Sequence, residues 1–135
     1  MRGELDLRAM PETRQLDDCG RRPNCVSSSA SDPRRRVGPW RLAAGAGELW
    51  RALVEEVAAT PRTRIIEEET ERYLHAEARS RIFGFVDDLE LALDGEQGLL
   101  AVRSASRVGY SDRGVNRRRV ERLRCRLVER GVIAR

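Results

Sequence analysis

The sequence predicts a two-layer α+β domain. It consists of a four-stranded antiparallel sheet with an N-terminal and a C-terminal helix packed on one face, in the order helix-strand-strand-strand-strand-helix. Three observations predict it. An apolar stripe at helical spacing begins near Gly47, and four strand-like runs separated by short turns occupy residues 63–108. A second helical stripe follows Asn116. Connections this short favour antiparallel neighbours and leave the helices the sheet to pack on.

Residues 1–16 show neither helical nor strand periodicity, so a flexible leader is expected there, with a single domain over 17–135. From Asp17 to Trp40 the chain is rich in Pro, Gly, Ser, Arg and Asn and reads as an irregular arm. Within that arm, PNCVSS places a cysteine and a valine among residues that favour solvent. The expectation is that Pro23 to Ser28 folds back over the sheet. Cys25 and Val26 would then enter the core, and Asn24, Ser27 and Ser28 would bond to the segment 102–121.

The first helix carries Leu49, Trp50, Leu53, Val54 and Val57 on one face, with Glu48 near its N-terminus, and Pro61 ends it after Thr60. Thr63 to Thr70 supplies β-branched residues for a first strand. Tyr73 to Ser80 alternates, with Leu74, Ala76 and Ala78 on one face and Tyr73, His75, Glu77 and Arg79 on the other. Phe85 to Asp94 puts Phe85, Leu89, Leu91 and Leu93 on one face, with Asp87 as the polar exception. The DGEQG turn, with Gly98 suited to a positive φ, leads into a fourth strand over Leu99 to Val108. The last helix is expected to start at Asn116 as N-cap and to run to Arg130 before Gly131. Its buried stripe is Val120, Leu123, Leu127 and Val128, and Cys125 reads as a small buried hydrophobe.

Composition narrows the function classes. All 26 basic residues are arginine, set against 22 acidic ones for a net charge of +4. Lysine Schiff-base and lysine general-base chemistry are therefore excluded, and every cation is a forked carboxylate or phosphate binder. Loss of lysine along the whole chain marks a genome-wide bias, so the charge alone makes nucleic acid a disfavoured partner. No run of eighteen apolar residues suggests a membrane span, and MRGELDLRAM lacks the apolar stretch of a signal peptide. A soluble, cytoplasmic chain is the expectation. Cys19 and Cys25 have no histidine near them, so no metal is expected, and no cofactor motif is present. Whether the two cysteines pair is open, although a cytoplasmic location argues against a stable bridge.

The densest chemistry lies in VRSASRVGYSDRGVNRRRVE, Val102 to Glu121. Arg103, Arg107 and Arg119 with Ser104, Ser106 and Asn116 make a candidate site for phosphate or carboxylate at a helix N-terminus. If the third and fourth strands are neighbours, Asp87 or Asp88 falls near Arg103 or Arg107, as a brace or as part of that site. Tyr110, Ser111 and Asp112 could form an acid–base set, but an aspartate two residues before Gly114 is also what a turn uses. The reading is a non-catalytic binding or structural module whose polar junction holds a small anionic ligand or a protein partner. The alternative is a hydrolase-like enzyme using Asp87, Asp88, Tyr110 and Asp112.

Three blocks carry a resemblance: CGRRPNCVSS (Cys19 to Ser28), IFGFVDDLE (Ile82 to Glu90) and the Val102 to Glu121 segment. Together they resemble the domain-of-unknown-function family numbered 1499, over roughly residues 17–130. The resemblance implies a shared fold and a shared site, and no activity. Where that family usually has an apolar residue between aspartate and glycine in the third block, this chain has Arg113.

Overall fold

The computed structural model describes residues 13–81, 84–109 and 113–135, and every structural statement below concerns those residues. Tyr110, Ser111 and Asp112 lie outside them. The elements are β1 (Cys25–Ser27), β2 (Trp40–Arg41), α1 (Ala46–Ala59), β3 (Thr63–Glu69), β4 (Tyr73–Arg79), β5 (Val86–Asp94), β6 (Leu99–Ser106) and α2 (Val115–Glu129). The architecture is α+β with an antiparallel sheet and two helices.

The sheet has six strands rather than four. Its order is β1-β6-β5-β4-β3, with β2 also paired to β6. The two additional strands come from the arm. Cys25 faces Ala105 and Ser27 faces Arg103, while Trp40 faces Leu100 and Arg41 faces Leu99. Both short strands thus occupy one outer edge of β6, with residues 28–39 making an excursion between them. Ser28 bridges the gap: its N–H donates to the Val102 carbonyl at 2.8 Å and its Oγ accepts the Val102 N–H at 3.0 Å. Segments of three and two residues are too short to show a period, which is why sequence patterning reads them as irregular chain.

β4, β5 and β6 form as their alternation dictates, and β3 adds the far edge with a bulge between Ile65 and Glu67. Leu74 faces Leu91, Leu91 faces Val102, and Leu93 faces Leu100. These side chains share one core cluster with Leu49, Trp50, Leu53 and Val57 of α1 and with Val120, Leu123 and Leu127 of α2. Val26 and Trp40 from the arm join the same cluster. Burying Leu49, Leu53, Leu74, Leu91, Leu100 and Leu127 completely stabilises the fold by roughly 1.5–3 kcal/mol per side chain.

The other sheet face is covered by the beginning of the described chain. Leu16, expected in a flexible leader, is buried with Tyr73 and Ala92, and Arg14 stacks over the Tyr73 ring at 3.8 Å. Cys19 and Cys25 form a disulfide packed against Ala30 and Ala105. The Ser27 hydroxyl donates to the Asp17 carbonyl at 2.8 Å, so β1 itself anchors this segment.

Two expectations for α2 are corrected. Its N-cap is Gly114, in the left-handed region at φ 79°, and Asn116 is a buried residue of the first turn. Glycine takes that left-handed backbone without a Cβ clash, whereas an ordinary side-chain N-cap sits in extended backbone. Cys125 is exposed rather than buried, since the buried stripe of Val120, Leu123 and Leu127 leaves position 125 off it. No helix among the described residues is long and apolar enough to cross a membrane.

Candidate functional site

Strand alternation divides the candidate residues between two faces. On β6, Ser104 and Ser106 point toward α2, while Arg103 lies on the opposite side with Glu90. On β5, Asp87 goes with the serines and Asp88 with the other face. The single constellation expected from sequence is therefore two clusters, back to back across the sheet.

The cluster beneath α2 is closed on itself. Asn116 is fully buried; its Oδ1 accepts from Ser104 Oγ at 2.6 Å and from Arg119 Nη1 at 2.8 Å. Its Nδ2 donates to Ser106 Oγ at 3.0 Å and to the Asn24 carbonyl at 3.2 Å. Arg119 also reaches Ser104 Oγ and donates from Nη2 to Asp87 Oδ2 at 2.8 Å. The arm completes the set: Ser106 N–H donates to the Asn24 carbonyl, Asn24 Nδ2 donates to the Gly109 carbonyl at 2.6 Å, and Arg22 donates to the Ser106 carbonyl. In this geometry the amide of Asn116 uses both ends at once, its oxygen accepting two hydrogen bonds and its nitrogen donating two. Asn24 Oδ1 is the one buried side-chain acceptor of this cluster without a partner.

The cluster on the opposite face is half-exposed. Arg107 grips Asp88 with both arms of its guanidinium, Nε to Oδ2 and Nη2 to Oδ1, each at 2.8 Å, and reaches Glu77 at 2.6 Å. His75 Nε2 lies 2.7 Å from Asp88 Oδ1. Hydrogen bonds from Arg107, reinforced by His75, hold the Asp88 carboxyl below the usual aspartate range. Further along the strands the Tyr73 hydroxyl donates to Glu90. Burial, then the adjacent Glu90, pushes the Tyr73 phenol above its ordinary value.

A concavity of about 160 Å³ opens beside the first cluster, between the C-terminal end of α1, the start of β3, the end of β4 and the outer face of α2. Arg119 belongs to both: it holds Asp87 on one side and lines the concavity on the other. Arg62, Arg79, Arg122 and Arg126 line it too, and no carboxylate does. Arg79 and Arg126 have distant partners, Glu77 at 3.7 Å and Glu56 at 3.6 Å, and no ion pair is found for Arg62 or Arg122 among the described residues. The floor is apolar, made by Val57, Ala78, Leu89 and Leu123. Arg62 sits in the left-handed region at φ 56°, a conformation that costs an arginine roughly 1–2 kcal/mol. Its carbonyl accepts the Arg79 N–H at 2.9 Å, tying the two rim arginines together through the backbone.

Of these five arginines only Arg119 belongs to the candidate site expected from sequence. The spacing of Arg119, Arg122 and Arg126 (i, i+3, i+7) was the available signal, since it aligns three arginines on one helix face. Among the described residues no group of three histidine, cysteine, aspartate or glutamate side chains is arranged to hold a metal ion.

No curated protein and no solved structure matches the chain. A family model does match, over residues 15–127, which includes both clusters and the arm from Gln15 onward. The chain belongs to the family described as Protein of unknown function (DUF1499).

Proposed function

We propose that this domain is a non-catalytic module that binds a small anionic ligand at the concavity bordered by Arg119, with the polar junction serving as its internal brace. The observation that carries this reading is five arginines around one concavity whose lining contains no carboxylate. Arginine there binds carboxylate or phosphate in a forked geometry and stays charged at any physiological pH. The mutual pairing of Asp87, Arg119, Ser104, Asn116 and Ser106 supports the role of brace, because those groups spend their hydrogen bonds on one another.

A hydrolase-like use of Asp87 and Asp88 has less support. The two carboxylates lie on opposite faces of β5, and each is hydrogen-bonded to an arginine. The Cys19–Cys25 bridge favours an oxidising compartment over the cytoplasmic one expected from composition.

The test is titration with inorganic phosphate, followed through the arginine Nε–H resonances. Saturable shifts confined to the five rim arginines, and lost in Arg122→Ala, are expected. Shifts that spread over all arginines without saturating, or no shifts, overturn the reading.

A further inference from the structure

The concavity has two chemically distinct parts, and the difference specifies more than an anion. Its rim is guanidinium, and the rim arginines other than Arg119 are exposed to water. Its floor is the side chains of Val57, Ala78, Leu89 and Leu123, all of them core residues that reach the bottom from α1, β4, β5 and α2. A bare inorganic anion would satisfy the rim and leave these four apolar side chains wetted, beside the Thr60 and Thr63 hydroxyls, which already donate to the Glu56 and Pro61 carbonyls. Apolar hollows of this size favour a hydrocarbon occupant over water.

Size sets the scale of that occupant. At about 160 Å³ the space is below the few hundred cubic ångströms of a typical drug-sized or cofactor site. Nucleotides, dinucleotides and sugars of several rings are too large to be enclosed. A group the size of benzene fits a hollow of this volume.

We infer that the concavity takes a short amphiphilic anion, with a carboxylate or phosphate-ester head among the rim arginines and an alkyl tail of about four to six carbons on the apolar floor. This rests on the anion-binding reading above and adds the tail to it. Three arginines on one face of α2 meet Arg62 and Arg79 from the β3 and β4 side, so the head is held between two walls. The left-handed backbone at Arg62 fits the same account. It is a strained position at the rim, and strain of this kind clusters at ligand sites.

The experiment is a titration series on the intact protein: inorganic phosphate, then ethyl, butyl and hexyl phosphate, with butanoate as the carboxylate arm. Affinity is expected to rise roughly fourfold per methylene as the tail fills the floor, then to level off. Arg122→Ala weakens every member of the series by a similar factor. Ala78→Val narrows the floor, and it is expected to shrink the ratio of hexyl phosphate to ethyl phosphate affinity toward one. A chain-length-independent affinity, with phosphate bound as tightly as hexyl phosphate, overturns the amphiphile and leaves the anion site standing. Failure of every ligand to bind overturns both.

Discussion

Arg107 holds Asp88 through two parallel hydrogen bonds of 2.8 Å, across the β5–β6 ladder and on the face away from the helices. One residue earlier, Asp87 is held by Arg119 on the helix face. Two adjacent aspartates thus tie the same sheet to two different arginines, one toward α2 and one toward solvent.

The Asp88 cluster makes stability depend on acid. The folded-state pKa of Asp88 is depressed by Arg107 and His75, so its contribution is present above the ordinary aspartate value. It is lost as pH falls through the lower, folded-state value. Asp88→Asn is expected to lower Tm at pH 7 and to converge on the wild type in strong acid. Thermal melts between pH 2 and 7 check this; a mutant curve parallel to wild type throughout would contradict it.

Asn116→Ala removes the hub of the buried cluster, leaving Ser104, Ser106, Arg119 and the Asn24 carbonyl short of a partner. Unsatisfied buried groups make this expensive. A loss of about 2–3 kcal/mol is expected in urea denaturation, with the Arg119–Asp87 pair retained.

Leu16→Ala is expected to cost about 2 kcal/mol, since Leu16 is buried against Tyr73 and Ala92. A change near zero would return residues 13–16 to the leader. Replacing both Cys19 and Cys25 by serine opens a short loop and is expected to cost about 2 kcal/mol. Equilibrium unfolding with and without a thiol reductant measures the same quantity, because the double mutant should no longer respond to reductant.

Arg62→Gly separates stability from binding. Glycine takes φ 56° freely, so the variant is expected to gain about 1 kcal/mol of stability. It should also bind phosphate more weakly, having lost one rim cation. Chemical denaturation and the phosphate titration give the two readouts.

Three of the long strands and both helices were legible because each carries a clear period over seven or more residues, and β3 was legible from its β-branched residues. β1 and β2 were not: three and two residues carry no period, and only the edge of β6 makes them strands. The docking of PNCVSS was readable from its chemistry, as Val26 enters the core and Asn24 bonds into the cluster beneath α2. The candidate site went further than alternation permits. Arg103 and Ser104 are neighbours in one strand and therefore face opposite ways, so no single pocket holds both. The rim arginines converge from α2, the α1–β3 turn and the end of β4. That convergence depends on how α2 sits on the sheet, which local sequence does not specify.

The edge partners of β6 lie at the far end of the chain from it. Cys25 and Trp40 leave the ribosome well before Ala105 and Leu100, their counterparts. Until β6 exists, the arm has nothing to pair with, and its valine and tryptophan remain exposed. During synthesis the N-terminal segment is therefore a waiting client, held open while the β3–β4–β5 meander assembles by local hairpins. Closure of the sheet edge waits on residues 99–106, and the arm's second half waits longer still, because Leu42 bridges to Ile133 and the Ala43 N–H donates to the Val132 carbonyl.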